Sequence, residues 1–267
     1  MAIGQLGDPA FRGAAIATLS TVAFFGVVGL LVVQSPGWPK VRKAFFDGHH
    51  LRAAMPDILH GFWLNIRLFL VAELIVLAIG LLVAVVRTIP GPALFPIRLL
   101  ATIYTDVFRG VPTILLIYLF GFGMPALGLE KPWNSPLLWG TVAISLNYGA
   151  YVAEVFRSGI RSVHPSQMAA ARSLGLSQWK ALRFVIVPQA VRRVIPPLLN
   201  DFVALQKDTA LVATLGPLEA LRNAQIYASS KFNYTAYVGA ALLFLALTIP
   251  LARLTDVMLQ RQERGRR

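Results

Sequence analysis

Cysteine is absent from this 267-residue chain, so no disulfide can staple it and no thiolate can serve as metal ligand or nucleophile. Charge is scarce: 14% of residues are Asp, Glu, Lys or Arg, against roughly a quarter in a soluble domain. Acidic residues are scarcer still, 12 against 25 Lys and Arg. The chain also lacks the phosphate loop G-x-x-x-x-G-K-[ST], the zinc-binding H-E-x-x-H and the nucleophile elbow G-x-S-x-G. Its 4 histidines form no ligand pattern. No catalytic residue, metal site or bound cofactor is therefore expected, and the chain should not hydrolyse ATP itself.

What is plentiful is apolar sequence. Hydrophobic residues make up 56% of the chain and mean hydropathy is +0.64, so length is better spent on membrane spans of about 20 residues than on a soluble core. Six candidate spans follow: Ala14 to Val33, Phe62 to Val86, about Ala101 to Phe122, Leu137 to Phe156, about Val194 to Leu215, and Phe232 to Ala252. The ten-residue alternation of a membrane barrel is missing, and backbone in lipid must satisfy its own hydrogen bonds. The expected fold is all-α, a polytopic membrane helical bundle.

The net charge of +13 could suggest nucleic acid, but arginines flanking apolar segments are more simply a topology signal. With both termini cytoplasmic, the inner segments (1–13, 87–100, 157–193 and 253–267) hold 15 basic residues and the outer segments 7, with 3 more inside spans. Lys40, Arg42, Lys43 and Arg52 resist this assignment, since all fall outside. The first span is long for a cleaved signal and VVQSPGW offers no small-x-small cleavage site, so it reads as an anchor. Residues 1–60 are then an anchor and an external linker, amphipathic between Trp38 and His60 and suited to the outer interface. Residues 61–256 form the membrane domain and 257–267 a basic cytoplasmic tail.

One inner segment stands out. Gln167 to Pro188, QMAAARSLGLSQWKALRFVIVP, is basic, helix-prone and without an acid. Pro165 suits a first helical turn and Gly175 a C-terminal cap. Ser177 can cap a second helix whose Trp179, Leu182, Val185 and Ile186 share a face, with Pro188 interrupting it. A run of three exposed alanines favours close helix-in-groove contact; an interfacial helix lying on headgroups is the plainer alternative.

These residues resemble the EAA loop of permease subunits in ABC importers: Glu-Ala-Ala, three residues, Gly, nine residues, Ile-x-Leu-Pro. Ala169, Ala170, Ala171, Gly175, Val185, Val187 and Pro188 fall at those spacings, with Ala169 in place of the Glu. TDVFRGVPTILL (105–116), YVAEVFRSGIRSVHPSQ (151–167), 187–213 and LTIPLARLTD (247–256) extend the similarity to the polar amino acid uptake branch of type I ABC importers. The resemblance implies a five-helix importer core, here with one additional N-terminal transmembrane helix. It also implies a bacterial cell-membrane permease paired with a second copy or a relative. A cytoplasmic ATPase dimer would bind ATP and Mg and receive the loop at Ala169, Ala170, Ala171, Gly175 and Pro188. An extracytoplasmic solute-binding protein would deliver a polar amino acid.

Charges inside spans are costly, on the order of 3 kcal/mol even on lenient scales, and so mark candidate path residues. Asp106 and Arg109, at i and i+3, can pair. Glu154 can meet Arg157, with Asn147 two turns earlier. Asn200 with Lys207, and Asp201 with Asp208, form a polar stripe. Asp106, Arg109, Asn147, Glu154, Asn200, Lys207 and Asp208 are accordingly the residues expected along the path or its gate; helix packing is the alternative role for each. Arg109-Gly110-Val111-Pro112 can open or kink the third span. Two other function classes remain: a secondary transporter, for which no convincing internal repeat is found, and a structural subunit of another membrane complex.

Overall fold

The computed structural model of the chain describes residues 9–88 and 91–264, which contain helices and turns and no strand. In order these are α1 (Pro9–Val33), α2 (Trp38–Phe45), α3 (Gly48–Thr88), α4 (Phe95–Gly110), α5 (Thr113–Gly123), α6 (Pro136–Arg161), α7 (Pro165–Ser173), α8 (Gln178–Ala181), α9 (Val187–Asp208), α10 (Ala220–Lys231) and α11 (Thr235–Arg264). By length and composition three helical segments can cross a membrane: Gly13–Val33, Trp38–Thr88 and Thr235–Gln260. Pro92–Gly110 and Thr113–Leu127 pass the same test only as a pair, a broken span or a re-entrant loop turned by 106° at the Gly110–Pro112 break. That is the kink expected from Arg109-Gly110-Val111-Pro112.

α6, at 26 residues, is long enough to span but carries more small and polar residues than those segments. It can do so because it lies inside: Gly140, Ala143, Ile144, Ser145, Asn147, Tyr148, Gly149, Ala150, Val152, Ala153 and Gly159 are all buried. A helix shielded from lipid needs no apolar coat, and small residues let its neighbours approach. α3 buries one stripe, Ala54, Ile58, Gly61, Asn65, Phe69, Ala72, Val76, Gly80 and Ala84, spaced three or four apart as the helical repeat requires. Phe69, Ala72 and Val76 meet Leu116 and Ile117 of α5, Ile144 and Val152 of α6, and Leu205 of α9 in the main apolar cluster. α1 stands apart, with none of its described side chains buried.

The structure departs from the sequence reading in several places. The amphipathic stretch from Trp38 to His60 does not lie as one interfacial segment. α2 takes its first part, and from Gly48 it continues the second span, with Leu51 and Met55 against Gly239 of α11. At 41 residues, or about 62 Å, α3 is twice as long as the hydrocarbon is thick. Asp47 starts it: the carboxylate accepts from the backbone N–H groups of His50 (3.3 Å) and His49 (2.9 Å).

Second, the fifth span does not run to Leu215. α9 ends at Asp208 and the apolar run Thr209–Leu215 winds into a 3₁₀ turn closed by Gly216 at φ +102°. Third, the outer loop expected at 216–231 is a helix, α10. Its Ala220, Ala224 and Ala228 repeat at i, i+4 and i+8 and are buried, the first two packing against Ala54 and Ile58 of α3 and Ala236 and Ala240 of α11. Gly61 makes the approach possible, since a Cβ there would come within 2.5 Å of the Glu219 backbone carbon. The tail assigned to 257–267 continues α11 as far as Arg264, and its last three residues lie outside the described ones.

Candidate functional site

The bend between α4 and α5 is where the chain's polar groups begin to converge. Pro112 has no N–H, so the Phe108 carbonyl loses its helical donor. Asn147 of α6 supplies one instead: its Nδ2 donates to the Phe108 carbonyl at 2.5 Å, while its Oδ1 accepts from the Thr113 hydroxyl at 3.0 Å. One turn along α6, the Tyr151 hydroxyl donates to the next loosened carbonyl, that of Arg109, at 3.2 Å. Asn147 is 1% exposed, and its two bonds tie both sides of the break. Its place in the structure is that of a brace for the bend.

Beside the bend lies a cleft of about 280 Å³, lined by Arg109, Tyr151, Glu154, Val155, Ser158 and Asp201. The Arg109 guanidinium rests 5.4 Å from the Tyr151 ring centroid, close enough for a cation–π contact. Glu154 is drawn the other way, into ion pairs with Arg87 at the end of α3 and Arg157 one turn on (3.3 Å). Arg87 also donates to the Thr105 hydroxyl at 2.9 Å, so one guanidinium joins α3, α4 and α6. Asp201 Oδ2 is buried and has no hydrogen-bond partner among the described residues, an expensive state for a carboxylate oxygen. An exposed cation and a buried carboxylate oxygen therefore share one lining.

The expected path residues divide. Arg109 and Glu154 meet in the cleft, joined by Asp201, and Asn147 braces the bend above. Asp106 is exposed and forms no ion pair with Arg109 among the described residues; on a helix that bends three residues later, Arg109 turns to Tyr151 instead. The polar stripe on α9 splits into two rows. Asn200 and Lys207 are exposed, whereas Asp201 faces the cleft and Asp208 accepts from the buried Tyr148 hydroxyl at 2.8 Å. Sequence reasoning passed over Arg87, Tyr151, Ser158 and Asn65. Uncharged polar residues inside apolar spans were the available signal, since each must find a partner in lipid. Asn65 shows this: its Nδ2 donates to Glu219 at 3.0 Å and to Thr209 at 3.3 Å, and its Oδ1 accepts from the Ala220 N–H at 3.1 Å. Glu219, fully buried, accepts in turn from the N–H groups of Arg222 (2.6 Å) and Leu221 (3.0 Å) at the start of α10.

At the far end of α6 the chain leaves the bundle. Pro165 opens α7 and its last turn closes in a Schellman arrangement, with Leu176 N–H bonded to the Ala171 carbonyl (3.2 Å) and Gly175 N–H to that of Arg172 (3.0 Å). Gly175 has φ +83°, as that turn demands. Ser177 caps α8 through the Lys180 N–H at 3.3 Å. Pro188 does not interrupt the second helix. A π turn over Leu182–Ile186 precedes it, with Val187 N–H reaching back to Leu182, and the helix carries on into α9. The wider turn makes room for a ring that would otherwise meet the preceding carbonyl. Only Ala169 and Ala170 of the three alanines are exposed; Ala171 is buried. Trp179 also leaves the expected shared face and is exposed, with Leu174 and Phe184. Val163, Ile186 and Ala190 form a buried knot with Ile160, Met168, Leu182 and Val185, and Arg193 donates to the Ser162 carbonyl. Excursion, α6 and α9 are thus one packed unit.

Comparison with known proteins agrees with this arrangement. The family described as "binding-protein-dependent transport system inner membrane component" matches residues 77–267. The chain is 34% identical over 214 residues to a probable amino-acid permease protein, YxeN, of Bacillus subtilis, covering 79% of this chain and 93% of that one. It is 36% identical over 201 residues to GlnM of the same organism, a probable glutamine ABC transporter permease protein (73% and 90% covered). Among solved structures, an amino acid ABC transporter with histidines superposes with TM-score 0.72 at 30% identity, over 80% of this chain and 98% of that one. The inward-facing MetNI methionine ABC transporter, at 18% identity and TM-score 0.61, shares the fold.

Proposed function

This chain belongs to the family of binding-protein-dependent transport system inner membrane components, with amino-acid ABC transporter permeases as its relatives, and from that premise we propose that it is the permease subunit of an ATP-driven importer of a polar or charged amino acid. It works as one of two permease subunits, with both termini on the cytoplasmic side of a bacterial cell membrane. A binding protein delivers the solute from outside. A pair of cytoplasmic ATPase chains binds ATP and Mg and docks on the α7–α8 excursion.

The observation that carries the reading is the packing of that excursion onto the helices that line the cleft. Ala169 and Ala170 present small side chains outward on α7, with Leu174 and Trp179 exposed beyond the Gly175 turn. These are surfaces a groove on another protein can take up, and the absence of Glu at position 169 leaves the fit to shape rather than charge. Behind them, the Val163–Ile186–Ala190 knot passes displacement to α6 and α9. Those two helices hold Tyr151, Glu154 and Ser158 on one side and Asp201 on the other. A push on α7 therefore moves α6 and α9 together against Arg109 of α4, the remaining wall of the cleft. Inside it, Arg109 suits a carboxylate and Asp201 an ammonium, the two charges every amino-acid zwitterion offers.

The test is to place a large side chain on the exposed face. A170W, reconstituted with its ATPase and binding protein, should lose both uptake and binding-protein-stimulated ATP hydrolysis while the permease remains folded. R109A should instead lose uptake with ATPase docking retained. Full uptake and stimulation in A170W would remove the docking role from the excursion.

A further inference from the structure

A hollow of about 440 Å³ opens on α2, lined by Pro39, Arg42, Lys43, Phe46, Asp47 and Gly48. It lies at the start of α3, whereas Arg87 at the end of α3 pairs with Glu154 near the end of α6. The hollow and the α7–α8 excursion are therefore at opposite ends of the bundle. Lys40 is exposed with Arg42 and Lys43, and the three form no ion pair among the described residues. Asp47, the one acid in the lining, is taken up by the N–H groups of His49 and His50. These bases, with Arg52 one turn into α3, are the ones that resist the charge bias of the loops. A basic cluster on the side that topology disfavours calls for an anionic partner there.

Two spans set the depth of α2. α1 is uncharged from Gly13 to Val33 with no described side chain buried, so lipid surrounds it, and only residues 34–37 separate it from α2. α2 is also tied to the start of α11, itself a span from Thr235. The Tyr234 N–H donates to the Ala44 carbonyl (2.7 Å), the Asn233 amide to that of Lys43 (2.9 Å), and Phe45 stacks on Tyr234. The hollow is thus held at the depth of the headgroups. Aromatic rings at this level are exposed, Phe46 by 58% and Phe232 by 86%. Phe232 has φ +50°, a left-handed conformation that is costly for a residue with a Cβ, and it gains no burial in the protein in return. Exposed aromatics beside a row of bases are the mark of a membrane interface.

We propose that α2 and the turn at 232–234 form a binding surface for an anionic phospholipid. Arg42 and Lys43 hold its phosphate in the hollow, Lys40 adds to the attraction, and the rings of Phe46 and Phe232 enter the glycerol and acyl region. Lipid is the occupant because the short link to α1 keeps α2 from rising clear of the bilayer. The bound headgroup would fix α1, which stands apart from the bundle, through α2 to the start of α11. The surface acts on the membrane and not on the solute, so it stands whether or not the proposed transport function does.

The chain has no cysteine, so a single introduced one can carry a reporter. V41C, on the exposed apolar side of α2, is labelled with bimane in the full-length chain and reconstituted into phosphatidylcholine bilayers. The quenchers are phosphatidylglycerol and phosphatidylcholine, each with a nitroxide high on the acyl chain. Phosphatidylglycerol should half-quench the label at a mole fraction at least about tenfold lower than phosphatidylcholine. R42Q/K43Q should bring the two lipids near parity, and raised salt should narrow the gap in V41C alone. Equal quenching by the two lipids in V41C overturns the site. So does a preference unchanged in R42Q/K43Q, or in R42Q should the double variant not fold. Quenching by aqueous iodide and by neither lipid places α2 clear of the bilayer; that also overturns the site and leaves its bases to an acidic protein on that face.

Discussion

Replacing Asn147 by Leu removes the brace from the α4–α5 bend while keeping a side chain of similar size. Two groups then lose their partner: the Phe108 carbonyl, which Pro112 cannot serve, and the Thr113 hydroxyl. Leaving one buried polar group unsatisfied costs about 1–3 kcal/mol. Pairwise couplings measured inside membrane proteins are smaller, about 0.6 kcal/mol on average and about 1.7 at most, because the unfolded chain in lipid finds other partners. The carbonyl has few alternatives, since backbone at a fixed bend cannot turn to a new donor. The hydroxyl can rotate to a carbonyl of its own helix. N147L should therefore lose about 2 kcal/mol, most of it at Phe108, and the Asn147–Thr113 coupling from a cycle with T113V should be near 0.6 kcal/mol. Reversible unfolding in mixed micelles gives the first number, and the four-variant cycle the second. Hydrogen exchange should rise around the bend and stay unchanged in α10. A loss below about 0.5 kcal/mol, within the usual range of surface substitutions, would refute the bracing role.

Other sites give separate tests. G175A should destabilise the α7 terminus by about 1–2 kcal/mol through backbone strain alone, because a Cβ there meets nothing within 4 Å; G175N should recover part of it, as hydrogen exchange over residues 165–180 would report. E219Q replaces an acceptor of the buried Asn65–Glu219 cluster with a donor and should cost about 1–3 kcal/mol in the same micellar unfolding assay. D47A removes the acceptor of the His49 and His50 N–H groups and should speed hydrogen exchange in the first turn of α3, while D47N, which keeps an acceptor oxygen, should restore most of the protection.

Much of the fold was legible because lipid enforces it. Apolar length marked the spans, the Arg109–Pro112 string marked the bend, and Pro165, Gly175 and Ser177 marked the caps of the inner excursion. Each of these signals is local. Where the reading failed, a long-range contact decided. Thr209–Leu215 looks like the end of a span, yet it turns away toward Asn65 of α3 through Thr209. Residues 216–231 look like a loop because a helix held by alanines against Gly61 needs no apolar face of its own. Pro188 failed as a helix breaker because a π turn absorbs it. For the cleft, charge counting found Arg109 and Glu154 but not which of their neighbours face inward: on α9, one residue of rotation separates Asn200, exposed, from Asp201 at the cleft.

The central claim is that ATP, spent by a partner chain, drives an amino acid past this one. The most direct measurement is uptake of labelled amino acids into proteoliposomes containing this permease and its ATPase, with the binding protein outside and ATP sealed within. The account predicts uptake that needs both ATP and binding protein and persists when ion gradients are collapsed. Uptake driven by a proton or sodium gradient in the absence of ATP would contradict it.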